Sequence, residues 1–593
     1  MRALLALVLL FSPLLLWSQV TLKGVVREKR GESLPQAHLR VLPDSIDAVA
    51  NDRGVFELKL SRGNKQINAS FVGFKTQSLS LFLKSDTSLL FELEAETRQL
   101  NEVVISGNRV SQEDILQSTR SGVHMITQEE IESIPVLGGQ ADPIKAIQLL
   151  PGVLRGVEGS SDLFVRGGAA DQNLVLLDDV PIYNTSHMLG FVSVFPSDFG
   201  GRLSSVLNVQ TKSDIPSKTK VSGDVGLIAT QLSLQQPIVK DKLSYHLAGR
   251  RTYIDQVVKA VNIELPYFFY DFNGKLVYRP TNNDEVKFSY YGGDDRLDLF
   301  RDRNNDGDGF LTRYTSGNNS QSFQWSRRHA GAQNTRISLT RSKYRYNITN
   351  IFGDNQLLAI SDIEDYGTRI QWSTDSLRSG FFKAGIDWTY HAVSPGVVNT
   401  SGFLAELFEG SESKGRRMHE GALYALYEKS LSSRWTVNGG LRLSSGITEN
   451  KTYVLPEPRL TGRYKVDEHQ AVKISYSRMT QYMHRIANSA ITSPTDIWFP
   501  VTNEVKPQSS HQLAVAWQRS WPDKNIFFSA ESYYKHMTNL IGYEEGTNLF
   551  FNTDFESKLI QGRGRAYGIE VLFKKEQGNL SGWISYTLSW SYR

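Results

Sequence analysis

The sequence predicts a mainly β chain in three parts: an N-terminal β-sandwich, a small mixed α/β unit and a large antiparallel transmembrane β-barrel. Three observations lead there. After residue 218, apolar and polar residues alternate in runs of ~9–11, the length at which a tilted strand crosses a bilayer. The only long apolar run, Ala3 to Trp17, stands at the start of the chain. The C-terminal connections alternate between short ones, such as Pro280 to Asp284, and long ones, such as Asp294 to Ser320, Val393 to Met418 and Gln481 to Ser509. Barrels with tight turns on one rim and long loops on the other read this way.

Composition removes several classes of chemistry. The 593 residues contain no cysteine, which excludes disulfides, thiolate metal sites and cysteine nucleophiles. Against 66 basic residues stand 62 acidic ones, so no chain-wide basic field points to nucleic acid. Arg2, the apolar run and Ser18-Gln19 read as a signal peptide over 1–18, with a membrane anchor helix as the alternative. No later run reaches the ~18 apolar residues of a membrane helix, so any further bilayer contact requires a closed barrel.

Residues 19–96 alternate in short strands with turn residues between them: Val20 to Val26, His38 to Leu42, Val55 to Leu60 and Ile67 to Phe74, punctuated by Gly31, Pro35, Asp52-Arg53-Gly54 and Gly63-Asn64. That spacing argues for a small β-sandwich. Gly24-Val25-Val26, Leu34-Pro35-Gln36-Ala37, Asp52 to Phe56 and Ser70 to Phe74 resemble the carboxypeptidase-regulatory-like domain, a non-catalytic accessory module. Residues 97–110 form a linker around Leu100-Asn101-Glu102-Val103-Val104-Ile105-Ser106-Gly107. This run is either a last strand of the sandwich or a free β-prone segment able to pair with another protein's sheet edge.

Residues 111–217 change character. Thr127 to Ile131 begins like a capped helix, with Glu130 three residues after Thr127. Asp142 suits a cap and Pro143 the first position of a second helix, which Pro151-Gly152 ends. Leu163 to Val165 and Leu174 to Leu177 are strand-like. From 218 to 593, Phe382, Ala384, Ile386, Trp388 and Tyr390 share one face while Lys383, Gly385, Asp387 and Thr389 share the other, and Ile584 to Tyr592 repeats the pattern.

Asp142 to Val153, Arg166 to Asn184 and Gly200 to Val209 resemble the plug domain of TonB-dependent outer-membrane receptors, and Tyr534 to Ile541 and Gly582 to Ser589 resemble their barrel segments. Leu100 to Gly107 resembles the TonB box in position and type. About sixteen strands are legible, against the ~22 such a plugged barrel uses, so the expectation is a C-terminally truncated, partial barrel lacking some six strands.

The resemblance implies energised import of a scarce ligand: a siderophore, cobalamin, an oligosaccharide or a peptide. It places the chain in the outer membrane with its N-terminal domain in the periplasm. Implied partners are the TonB–ExbB–ExbD complex, the lipid bilayer, the outer-membrane assembly machinery and a surface lipoprotein. The alternative is a signal-transducing receptor acting on an anti-sigma factor; an enzyme is not expected. Asn101, Glu102, Val103, Val104, Ile105 and Ser106 would pair with TonB as an added strand. Arg166 and Arg202, with Glu531 and Glu570 on the polar phase of their strands, would form plug–wall ion contacts. Such contacts are expected to be wet and weak. Tyr183, Asn184 and His187 are ligand-binding candidates by position. No resident cofactor is expected, apart from calcium in an EF-hand-like loop. There Asp302, Asn304, Asp306 and Asp308 alternate, but Arg313 stands where the bidentate Glu belongs.

Overall fold

The computed structural model describes residues 19–593 except 29–32, 45, 72–73, 75, 94–111, 125, 127–129, 132, 135–142, 156–161, 185–196, 227–228, 260–266, 302–308, 378–379, 408–414, 487–496, 544–554, 577 and 579. The expected signal peptide over 1–18, residues 101–106, His187 and Asp302, Asn304, Asp306 and Asp308 therefore lie outside the described residues. The chain divides into two compact units, Met1–Asn101 and Glu102–Arg593.

In the first unit, strict alternation builds two sheets over one core. Gln19–Glu28 runs antiparallel to Val55–Ser61 and parallel to Thr87–Leu93. The second sheet has the order Ile46–Val49, His38–Leu42, Gly63–Ser70, Gln77–Leu83. Their inner faces bury Leu22, Leu39, Phe56, Ile67 and Phe91 in a shared cluster. The sheets close tightly at Gly24, where a Cβ would stand 2.3 Å from the Leu89 carbonyl oxygen and 2.5 Å from the Phe56 ring.

In the second unit, seventeen strands among the described residues form one antiparallel sheet, from Lys220–Val225 to Gly582–Tyr592, paired in chain order apart from the two short strands between residues 483 and 500, which form their own pair. The alternation sorts its faces in the sense opposite to a water-soluble sheet. Leu339, Ile370, Ile386 and Trp388 point outward and are 46%, 43%, 50% and 41% exposed, while Ser338, Gln371 and Lys383 are buried inward. An apolar outer face and a polar inner face fit a wall standing in lipid. No helix among the described residues is long and apolar enough to cross a membrane.

Several expected loops are strand. Asp284–Arg301 and Phe310–His329 absorb most of 294–320, and Gly380–Ser401 absorbs the start of 393–418. Four successive strands reach 20 to 23 residues, about twice the spanning length. In their far halves the apolar residues no longer keep to the outward phase, with Ile363, Val393 and Val398 buried, so backbone ladders continue where the side-chain alternation breaks down. The stretch 481–509 contains a hairpin, Met483–Ile486 against Ile497–Pro500, whose described residues are largely buried. The two rims differ as expected, with connections such as 330–332 and 468–469 on one and 402–415 and 482–507 on the other.

The concave side holds the mixed unit. It comprises helices Gln112–Gln117 and Pro143–Ile147, the pair Val153–Arg155 and Leu163–Val165, and a small sheet in which Asn173–Leu177 runs antiparallel to Val180–Pro181 and parallel to Ser205–Val209. Ala146, Ile147, Val165 and Leu207 form its core.

Gly24→Val should destabilise the first unit by about 1–3 kcal/mol or more through overpacking. Limited proteolysis of the full chain should then cleave before residue 101 and leave the second unit protected.

Candidate functional site

The inner unit is fastened to the wall most firmly at Arg166. Val165 ends a strand, and Arg166 and Gly167 turn with φ of 47° and 70°, which aims the arginine at the wall. Its Nε donates to Glu570 Oε1 at 2.9 Å and its Nη2 to Glu570 Oε2 at 2.6 Å. Nη2 also lies 2.8 Å from Glu531 Oε1, and the guanidinium sits 5.1 Å from the Tyr533 ring centroid. Glu531 and Glu570 are register partners on adjacent strands. Facing carboxylates repel, so the wall is poised for a cation before the inner unit supplies one. All three side chains are buried: 0% exposed for Arg166, 5% for Glu531, 2% for Glu570. This corrects the expectation of a wet, weak contact. Burial alone would lower the arginine's pKa, but the Glu531 and Glu570 carboxylates outweigh it and raise it. Gly152 has φ of 79°, and a Cβ there would stand 2.3 Å from Glu570 Oε1, so the close approach admits only glycine.

Elsewhere the polarity reverses, with inner-unit acids meeting wall cations. Asp178 and Asp179 form a two-residue hairpin with φ of 48° and 71°, a type I′ turn. Lys275 Nζ reaches Asp178 Oδ1 at 2.9 Å, and Gln324 and Ser338 both donate to Asp179 Oδ2 at 3.0 Å. Lys383 pairs with Asp198 at 2.7 Å and Arg459 Nη1 donates to the Phe199 carbonyl at 2.7 Å. Lys383 holds the Asp198 carboxyl below the usual range although burial opposes it. Sequence reading missed these wall residues. Their signal was a cation on the inward phase of a strand, visible only once the aspartates opposite were placed.

Residues 112–121 are held by hydrogen bonds. Lys473 Nζ donates to the Ile115 and Arg120 carbonyls at 2.6 and 3.1 Å, Thr119 Oγ1 to Glu428 at 2.7 Å, and Ser121 and Ser475 hydroxyls meet at 2.9 Å. His124 lies beside a small cavity lined by Ile126, Leu150, Phe527 and Trp583. Burial, with Arg166 and Lys574 adding repulsion, pushes its pKa down from 6.5 to about 3.

Toward the rim of long connections, Tyr183 donates to Asp365 Oδ2 at 2.5 Å, and Asp365 Oδ1 lies 2.8 Å from His391 Nδ1. Tyr183 is thus a packed contact residue, set edge-on against Trp498 at 4.8 Å. Asn184 offers its carbonyl to Asn318 Nδ2 at 3.0 Å. Arg202 does not join Arg166 at the glutamates. It stacks over Trp498 at 5.4 Å and donates to the Gly201 carbonyl. The inserted hairpin is tied down by Asp171, whose Oδ2 accepts from Gln481 Nε2 at 3.0 Å and from the Arg485 backbone N–H at 3.3 Å. A cavity of about 330 Å³ opens between inner unit, hairpin and wall, lined by Phe164, Asp171, Gln172, Arg485 and Tyr543 among others.

Glu570→Ala leaves Arg166 buried with one carboxylate and should cost about 3–5 kcal/mol, read as lost hydrogen-exchange protection over 163–177 in the full chain. The His124 effect has a definite sign. The folded state keeps the ring neutral, so its stabilisation is complete above pH 6.5 and is lost as pH falls from 6.5 toward 3. The urea midpoint for release of the inner unit should therefore drop between pH 7 and 5, and His124→Asn should flatten that drop.

Comparison with known proteins agrees with this architecture. The profile described as TonB dependent receptor-like, beta-barrel matches residues 228–593, and that of the CarboxypepD_reg-like domain matches residues 22–105. No curated protein sequence matches the chain. Solved structures of similar fold include the alcaligin outer-membrane receptor FauA from Bordetella pertussis, at 13% identity, 82% coverage of each chain and TM-score 0.56. The siderophore receptor PirA from Acinetobacter baumannii aligns at 14% identity, covering 81% of this chain and 82% of its own, with TM-score 0.57. The copper transporter OprC aligns at 11%, covering 76% of each, with TM-score 0.56. With most of its length under that barrel profile, a regulatory-like domain ahead of it and a filled lumen, the chain belongs to the TonB-dependent receptor family.

Proposed function

We propose that this protein imports a scarce ligand across the outer membrane, with TonB pairing along residues 101–106 and pulling on the lumen unit. The observation that carries the reading is the buried Arg166–Glu531–Glu570 contact inside an otherwise filled wall. A lumen obstructed by a unit fastened this firmly does not serve passive diffusion, and opening it needs energy from outside the outer membrane. The TonB–ExbB–ExbD complex is the source that family membership supplies.

Asn101 to Ser106 suits strand addition because main-chain hydrogen bonds provide the grip and β-branched Val103, Val104 and Ile105 favour the extended backbone. Tension applied there first loads 112–121, which meets the wall through hydrogen bonds to Lys473, Glu428 and Ser475. Charge-assisted and neutral hydrogen bonds of this kind contribute about 1–3 kcal/mol each. They therefore yield before the buried arginine does, and the first path opens on the side of the wall that carries these three residues. The 330 Å³ cavity beneath the inserted hairpin is the candidate ligand chamber. Its lining mixes aromatic, amide and charged groups and suits a polar ligand of siderophore, cobalamin, oligosaccharide or peptide type. The N-terminal unit then lies in the periplasm, the outer-membrane assembly machinery inserts the wall, and a surface lipoprotein is the partner that would cap the long loops.

Val104→Pro removes one ladder donor and distorts its neighbour. Energised uptake in cells should fall to the level seen without TonB, while ligand binding to the surface stays at wild-type level. Unchanged uptake would reject 101–106 as the pulling handle.

A further inference from the structure

The inserted hairpin seats a histidine that finds no partner. His484 stands in Met483–Ile486, opposite Phe499 in Ile497–Pro500. It is 0% exposed, and neither Nδ1 nor Nε2 has a hydrogen-bond partner among the described residues. Just before it, Thr480 Oγ1 and Gln481 Oε1 are buried and equally unpaired. Buried polar atoms left unpaired cost free energy, so other contacts must hold the seat. Asp171 accepts from Gln481 Nε2 and from the Arg485 backbone N–H. Trp498 packs edge-on against Tyr183, and Ile486, Ile497 and Phe499 cluster with Val505. The two hairpin strands pair with each other and not with the wall sheet, so the hairpin can move without breaking the wall. Arg485 and Ile486 line the 330 Å³ chamber, so the element that carries His484 also closes one side of that chamber.

The charges around the ring are cations, or acids already engaged elsewhere. Arg202, on the lumen unit, is the charged group that acts on the ring, and it lies over Trp498 at 5.4 Å. On strand Arg416–Ser430, Arg416 lies 5.7 Å from the Phe499 ring centroid and pairs with Glu556 at 2.9 Å. Glu420 on that strand, and Asp365 on Asn355–Leu377, both face His391, at 3.6 and 2.8 Å. Arg485, next in the hairpin, lies 3.5 Å from Asp162. On Ile526–Tyr543, Lys535 Nζ donates to Ser204 Oγ at 3.0 Å. No carboxylate among the described residues pairs with the His484 ring. A proton added here would place a second cation beside Arg202, with nothing to accept its two N–H groups. Burial, with Arg202 adding repulsion, pushes the ring's pKa from 6.5 down to about 3. Away from the seat, the ring takes up a proton near its ordinary value.

We infer that the hairpin is an acid-released strap over the chamber, with His484 as its proton-sensing residue: seated while the ring is neutral, lifted once the ring is protonated. The inference rests on reading that cavity as the ligand chamber, and it adds a control on access to it. The sign follows from linkage. Seating lowers the ring's pKa, so the stabilisation that the neutral ring allows is complete above pH 6.5 and is lost as pH falls from 6.5 toward 3. Between pH 7.5 and 5.5 the ratio of seated to lifted hairpin falls about tenfold. A ring that served packing alone would need no nitrogen, and here both nitrogens are a cost.

The full chain would be studied in detergent micelles without ligand. Amide hydrogen exchange over 482–486 and 497–501 would be read at pH 7.5 and 5.5, as protection relative to the unfolded chain at each pH. Wild type should lose about tenfold in protection at pH 5.5. His484→Phe and His484→Asn do not titrate, and each should keep equal protection at both pH values; the pair covers the case in which one of them does not fold. His124→Asn, which silences the separate titration in the lumen unit, should keep the drop. The chain has no cysteine, so Ala170→Cys, on the chamber lining, supplies a single thiol. Its maleimide labelling, relative to free cysteine at the same pH, should quicken about tenfold at pH 5.5. A wild-type hairpin equally protected at both pH values, or a drop that persists in the His484 variants, would overturn the switch. A hairpin that loosens without faster labelling at 170 would overturn its hold on the chamber. Neither measurement uses ligand or TonB, so the import reading stands or falls separately, on the Val104→Pro uptake.

Discussion

A wall that turns its apolar side outward must satisfy its polar side within. Inward from the sheet point serines, glutamines, lysines and carboxylates that are buried, and buried polar groups without partners cost free energy. The inner unit meets this demand. It offers carbonyls to Lys473 and Arg459, carboxylates to Lys275 and Lys383, and a guanidinium to Glu531 and Glu570. Each surface is incomplete without the other, which is why so small an α/β unit holds a defined place inside so large a sheet.

The contacts are unevenly distributed, and the unevenness has mechanical content. Where the chain enters the lumen, the described contacts of 112–121 are hydrogen bonds to the wall, each modest. Deeper in, the fasteners are buried charges set by backbone conformations that most residues avoid: Arg166, Asp178 and Asp179 all have positive φ. Strained turns held by ion pairs resist displacement, because releasing the side chain exposes an uncompensated charge. A pull from the N-terminal side meets weak attachments first and strong ones later. The inserted hairpin adds a further hold from the opposite rim, through Asp171 and the Tyr183–Trp498 contact.

Much of this was legible from residues alone. Period-two alternation marked the wall strands, because each strand has one face in an apolar surrounding. Pro151-Gly152 marked the end of a helix by residue type. Glu531 and Glu570 stood out as charges on the polar phase of their strands and Arg166 as a contact candidate opposite them, but their burial did not. The far halves of the long strands around residues 294–320 and 393–401 were not legible. There apolar residues fall on both faces, Leu299 exposed and Val393 and Val398 buried, and what keeps the segments extended is pairing with a neighbour rather than a side-chain pattern.

Residue order by itself determined that the chain is mainly sheet after residue 218 and that Glu531 and Glu570 lie on the polar phase of their strands. Those are local properties, set by periodicity, turn chemistry and solvation. Only the tertiary structure decided that Arg166 meets both glutamates while Arg202 turns to Trp498, that Lys275 and Lys383 face aspartates, and that the 483–500 hairpin folds inward. Each of these joins residues tens to hundreds of positions apart, and a pairing at such separation is chosen by the register of the whole sheet rather than by either partner's neighbours in the chain.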